Sequence, residues 1–241
     1  MPNRYLLWAK NLFSIDLEYV SYQLVAAAIN PTELYKLTLR RKQARNQWAR
    51  SDAAVTFTLC AFVAAASASW AIAYSITSPL SILFLCIRSV VIFLSSSALV
   101  ASVCWLVANS KHMRTVPHLP QHSVEQKVEW LFAWDVTCNA FVPLFLILYV
   151  VQLILLPVLL PSADADGADA NTVGNRVSAV ISNILYAIAS VSYWHSIFCG
   201  YTALPFLQQT TYFLFPAGAS LLLCILTSVF GINLASFWIS F

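Results

Sequence analysis

Five long apolar stretches, at about 53–74, 80–108, 139–160, 177–198 and 215–237, alternate with short polar connections along the chain. A helix needs roughly 20 apolar residues to cross a bilayer, so this pattern predicts five membrane-spanning helices. The second stretch is long enough to tilt or to project from the membrane. Residues 1–52 follow a different pattern. Leu17, Val20, Leu24 and Ala28 recur at helical spacing behind Asp16 and Glu18, acidic residues that suit a helix N-terminus. Asn30-Pro31-Thr32-Glu33 then reads as a fresh helix start, with Asn as cap, Pro at the first position and Glu at the third. Two placements fit these N-terminal helices: amphipathic rods on the cytoplasmic surface, or a helical pair packed on the ends of the spans. The expected architecture is all-α, a five-helix transmembrane domain over 53–241 behind a cytosolic, amphipathic and basic segment over 1–52.

Composition sharpens this reading. The 241 residues are 60% hydrophobic and 10% charged, whereas about a quarter charged is usual in a soluble domain. No Asp, Glu, Lys or Arg follows Arg176, which a lipid-facing surface tolerates and a water-facing one does not. The start of the chain lacks the small-residue cleavage site of a secretory signal. The six cysteines lie in or beside apolar runs with no C-x-x-C spacing, as small apolar helix residues do.

Charge sets the expected orientation. Lys36, Arg40, Arg41, Lys42, Arg45 and Arg50 crowd against the first apolar run, and Lys111, Arg114 and Lys127 lie in the second connection. Asp164, Asp166 and Asp169 lie in the third. Basic connections stay cytoplasmic, so the N-terminus is expected inside and, after an odd number of spans, the C-terminus in the lumen. The basic block also suits anionic headgroups of the cytoplasmic leaflet, at roughly 1 kcal/mol per Lys or Arg.

Candidate chemistry is sparse. Asp135 and Asn139 lie four apart, on one helix face at the entry to the third span, which fits either helix–helix bonding or a ligand or proton site. Arg88 falls inside the second span, where it either snorkels toward the lumen or pairs with a carboxylate. His112, His118, His122, Glu125 and Glu129 share the second connection, but Pro117 and Pro120 oppose the helix that a His118–His122 metal pair requires. No nucleophile–base motif, phosphate loop or zinc-hydrolase signature is present. No cofactor, metal site or catalytic residue is therefore expected. The alternative to a scaffold is a small-molecule or lipid transporter or scramblase working through Asp135, Asn139 and Arg88.

Three blocks carry a resemblance: Arg41-Lys42-Gln43-Ala44-Arg45-Asn46-Gln47-Trp48-Ala49-Arg50; Val128-Glu129-Trp130 with Asp135-Val136 and Asn139-Ala140-Phe141; and Gly200-Tyr201-Thr202-Ala203-Leu204-Pro205-Phe206-Leu207 followed by Phe215-Pro216. With Asp16-Leu17-Glu18-Tyr19 they resemble, in order and spacing, the Unc-fifty family of multipass Golgi membrane proteins. The resemblance implies a five-span protein of the Golgi and early secretory pathway. It implies a non-enzymatic part in vesicle traffic, in delivery of receptor cargo to the cell surface and in recruitment of large Arf exchange factors. On that reading Arg41, Lys42, Arg45, Trp48 and Arg50 form the lipid- or partner-binding face. RNA binding has also been suggested within the family, and here only the basic block would carry it, without a recognisable RNA-binding fold. Ser51-Asp52-Ala53 stands where the family pattern has an acidic pair followed by Pro, and Arg88 lies outside that pattern.

Overall fold

The computed structural model describes residues 17–36, 48–49, 53–113, 126–159 and 173–234. The first helix, α1, is Leu17–Ile29, and a second helical stretch covers 31–36. Then come α2 (Ala54–Ala73), α3 (Pro79–Ala108) and α4 (Trp130–Phe145). The last of these runs on through a π-helical turn, Leu146–Val151, into Gln152–Ile154. The helix α5 is Val173–Thr202, and α6 is Phe215–Val229 behind a 3-10 turn at Thr210–Leu214. Among the described residues five helices are long and apolar enough to cross a membrane: Ala54–Ala73, Pro79–Ala108, Trp130–Ile154, Arg176–Thr202 and Thr210–Val229. The protein is an all-α membrane protein. Half of the third helix's apolar window is buried, against 17–33% for the other four.

That third helix begins at Trp130 and not near Asn139, where its apolar run starts. The reason is tertiary. The Asn109 side chain brackets Val128, accepting its N–H at 3.0 Å and donating to its carbonyl at 3.1 Å, and the Trp105 indole donates to the same carbonyl at 2.9 Å. With 126–129 pinned to the end of α3, the helix starts at the next residue. Its polar edges find partners on neighbouring spans: the Trp130 indole donates to Ser102 and the Trp134 indole to Thr56.

Two compact units emerge, Met1–Val142 with Ser196–Phe213, and Pro143–His195 with Leu214–Phe241. In the first, α2 and α3 form an antiparallel hairpin. Its turn is closed by a Schellman motif in which Ile76 N–H bonds Ala71 O and Ser75 N–H bonds Ile72 O. Ser75 takes the left-handed position there, φ 56°, where glycine is usual. Small residues are buried on both helices, Ser67 and Ala71 on α2 and Ser97, Ala101, Cys104 and Ala108 on α3. Within lipid, such residues let helix backbones approach closely. Farther along the hairpin, Phe93 of α3 packs on Phe141 of α4, ring centres 4.4 Å apart.

In the second unit α6 stops at Val229, short of the apolar run to 237, because Gly231 at φ 70° closes another Schellman motif (Ile232 N–H to Thr227 O, 2.8 Å). The chain beyond it is held by two side-chain amides. Asn183, 1% exposed, donates to Ser228 Oγ at 3.1 Å and Ile232 O at 2.9 Å, and accepts from Leu234 N–H at 3.2 Å. Asn233 donates to Leu159 O and to Ser178 Oγ, and Ser178 itself donates to Leu159 O.

Two substitutions test these devices by thermal unfolding in detergent. Ser75→Gly is expected to stabilise by about 1 kcal/mol, since it removes the Cβ from a left-handed residue. Asn183→Ala strands the Ile232 carbonyl and the Leu234 N–H, and is expected to destabilise by roughly 2–3 kcal/mol. An unchanged midpoint for Asn183→Ala would mean that the segment after α6 contributes nothing to stability.

Candidate functional site

One end of the first unit gathers the N-terminal helices, the start of α4 and the chain that follows α5. Asn30 caps the 31–36 stretch, its Oδ1 accepting the Glu33 N–H at 3.3 Å, with Pro31 next in line as the pattern predicts. The exposed Lys36–Glu33 pair, 2.6 Å, is a local surface contact. The buried face of α1 differs from the expected one. It is Val20, Gln23 and Ala27, while Leu24 and Ala28 are half-buried. What turns the helix is an amide pair, Gln23 Nε2 to Asn139 Oδ1 at 3.3 Å, closed off from water at both ends. Two buried amides that satisfy each other outweigh one more aliphatic contact, since a stranded amide costs about 1–3 kcal/mol. The helix α1 thus packs on the third span.

The next anchor is Tyr35, 3% exposed, whose hydroxyl approaches the Val136 carbonyl at 3.5 Å, the outer limit of a hydrogen bond. This approach depends on Gly200. A Cβ there would stand 2.7 Å from Val136 Cγ1 and 3.0 Å from Tyr35 Cζ, so any larger residue displaces one of them. Beside Tyr35, the Thr32 hydroxyl and the Cys199 thiol are 3.8 Å apart. The fully buried Tyr201 ring then stacks on Phe213 (4.2 Å, 11°) and meets the edge of Phe132 (6.0 Å, 88°). Its hydroxyl oxygen and Asp135 Oδ1 are both shielded from solvent.

Chain 203–209 ties this floor to the other segments. Leu204 and Leu207 are buried, and Phe206 packs on Trp48 at 5.7 Å. The Gln208 N–H donates to Met113 O at 2.7 Å, joining the connections after α3 and after α5. Gln209, at φ 57°, makes the turn that leads into Thr210–Leu214.

The expected site residues are distributed unevenly over this geometry. Arg41, Lys42, Arg45 and Arg50 lie outside the described residues, as do His118, His122 and Glu125. Trp48, expected among the binding residues with them, is 4% exposed and packs against Phe206. Burying a large ring outweighs presenting it to water. In sequence, Arg40, Arg41, Lys42 and Arg45 therefore fall between two inward anchors, Tyr35 and Trp48, with Arg50 just beyond. Asn139 is buried and engaged by Gln23, Asp135 is half-buried on the same helix, and Arg88 is exposed on α3. His112 is exposed, and among the described residues no three His, Cys, Asp or Glu side chains group to hold a metal. Pattern reading missed Gln23 and Tyr35. Their signal was a lone amide inside an apolar helix and a large aromatic just before a basic run.

Comparison with known proteins yields one family. The model of the UNC-50 family matches residues 7–241. The chain is 40% identical to a Dictyostelium discoideum protein called "Protein unc-50 homolog", covering 94% of this chain and 82% of that one. It is 29% identical to "Protein GMH1" of Saccharomyces cerevisiae, covering 92% of this chain and 79% of the relative. It is also 29% identical to "Protein unc-50" of Caenorhabditis elegans, covering 92% and 67%. No solved structure matches the chain.

The Gly200 contact supplies a test. Gly200→Ala is expected to cost about 1–3 kcal/mol by overpacking and to speed proteolytic cleavage of the N-terminal segment. Adding Val136→Ala, which makes room for the new methyl, is expected to restore most of the resistance. A Gly200→Ala protein as resistant as the parent would show that the helix 31–36 does not depend on this close approach.

Proposed function

Because the chain belongs to the UNC-50 family, we propose that it is a non-enzymatic scaffold of Golgi and early secretory membranes. Its basic end faces the cytoplasm and recruits a large Arf exchange factor, and through that recruitment it serves delivery of receptor cargo to the cell surface. The carrying observation is the join between Trp48 and Phe206, together with the Met113–Gln208 bond. These contacts tie the exit of the basic block to the connections after α3 and α5, so charge is presented from a fastened base. Positive charge on the two connections at this end, against an acidic connection elsewhere, supports a cytoplasmic placement. Arg41, Lys42, Arg45 and Arg50 supply the contacts to anionic lipid or an acidic partner surface, and Trp48, buried against Phe206, fastens the segment that carries them. A transport site built from Asp135, Asn139 and Arg88 fits less well, since Asn139 is engaged by Gln23 and Arg88 is on the exposed surface of α3.

Recruitment of a large Arf exchange factor to Golgi membranes tests the reading. Reversing Arg41, Lys42 and Arg45 to Glu removes about 3 kcal/mol or more of attraction to an anionic surface, a loss of at least roughly a hundredfold. Phe206→Ala, which leaves the charges in place, is expected to give a smaller loss. Full recruitment by a correctly inserted triple-reversal protein would overturn the scaffold reading.

A further inference from the structure

The helix α1 is apolar on two faces. One, with Val20, Gln23 and Ala27, packs inward. The other carries Tyr19, Tyr22, Val25 and Ile29 at 37%, 54%, 57% and 78% exposure, a stripe at spacings of three, three and four with no charge in it. The charged groups sit at the two ends instead: Glu18 in the first turn, and the exposed Glu33–Lys36 pair just beyond the Asn30-Pro31 corner. A surface helix in water shows the opposite arrangement, with polar residues on its free face.

The depth of α1 explains the pattern. Its anchor, Asn139, lies nine residues into a helix that begins at Trp130, and at 1.5 Å per residue this is about 14 Å along the span. So α1 lies beside the third span, not above its end. Its 13 residues extend only about 20 Å, too short to cross the roughly 30 Å hydrocarbon layer. Charges at both ends require both ends to reach the headgroups, which a helix lying in the plane of the membrane satisfies and a re-entrant one does not. The first turns of α2, beside which α1 packs, also expose aromatic surface, Phe57 at 45% and Phe62 at 44%. The stripe thus continues the lipid-facing surface of the spans. Four side chains also fall well short of the roughly 800 Å² that each partner of a stable protein complex buries.

We propose that α1 is an in-plane membrane element whose Tyr19–Tyr22–Val25–Ile29 face is inserted at the headgroup–acyl boundary of the leaflet on the basic block's side. That leaflet is cytoplasmic in the orientation given above, but the insertion does not depend on what the basic block recruits. The two tyrosines take the interfacial position that suits an apolar ring with a polar tip, and Gln23–Asn139 clamps the helix to the bundle at that depth. Lys36, the last described residue before the basic block, is thereby held at the headgroup level.

The test uses the full chain in phosphatidylcholine–phosphatidylserine vesicles, with an environment-sensitive fluorescent amino acid at position 22, 25 or 29, or at 36 as the reference. Each protein is first shown to be monodisperse, and three separate positions guard against one that fails to fold. Quenching by a nitroxide placed high on the lipid acyl chain is expected to be severalfold stronger at 22, 25 and 29 than at 36, with aqueous iodide giving the reverse order. Iodide quenching at 22, 25 and 29 equal to that at 36 would place the stripe in water and overturn the proposal. Protection from both quenchers would mean that protein covers the stripe, a second copy or a partner, and would overturn it equally.

Discussion

A polar group inside a membrane protein must be satisfied by the protein itself, and the first turns of the third helix carry several such groups. Trp130, Trp134, Cys138 and Asn139 project from its first three turns. Their partners lie on three elements: Ser102 on α3, Thr56 on α2 for both Trp134 and Cys138, and Gln23 on α1. The start of this helix is thus where α1, α2 and α3 are fastened by directional bonds. Hydrophobic packing among lipid-exposed spans has no solvent to escape from, so these bonds and the close approach of small residues determine which faces meet.

The same constraint shapes the backbone. Pro143 has no N–H to give, so the Asn139 carbonyl loses its ordinary intrahelical bond. Within a turn the helix widens into the π-helical stretch Leu146–Val151, a feature that recurs where a helix accommodates an irregular backbone demand. The polar side chain that holds α1 and the carbonyl freed by proline therefore belong to one residue. Helix ends are treated with equal economy: left-handed Ser75 and Gly231 close α2 and α6, and Asn183 and Asn233 satisfy the segment after α6.

The platform at the N-terminal end follows from residues with little chemical reactivity. Gly200 admits Tyr35, Tyr201 is clasped by Phe132 and Phe213, and Phe206 receives Trp48. The Gly-Tyr-x-Ala-Leu-Pro-Phe-Leu string is in this way a fastening, holding Tyr35 and Trp48 in place.

The amino-acid sequence by itself determined the five spans, the all-α class, the charge asymmetry between connections and the helix start at Asn30-Pro31. All of these follow from local periodicity, length or a residue's own backbone geometry. Only the tertiary structure decided that the third helix begins at Trp130, that α1 turns Gln23 inward, and that Trp48 packs on Phe206. The start of α4 depends on the Asn109 side chain bonding Val128, 19 residues later in the chain, and the face of α1 on Asn139, 116 residues after Gln23. Hydropathy counted residue by residue scores an amide or an indole nitrogen as a cost wherever it lies. The partner that turns the cost into a bond becomes visible only when distant segments share space.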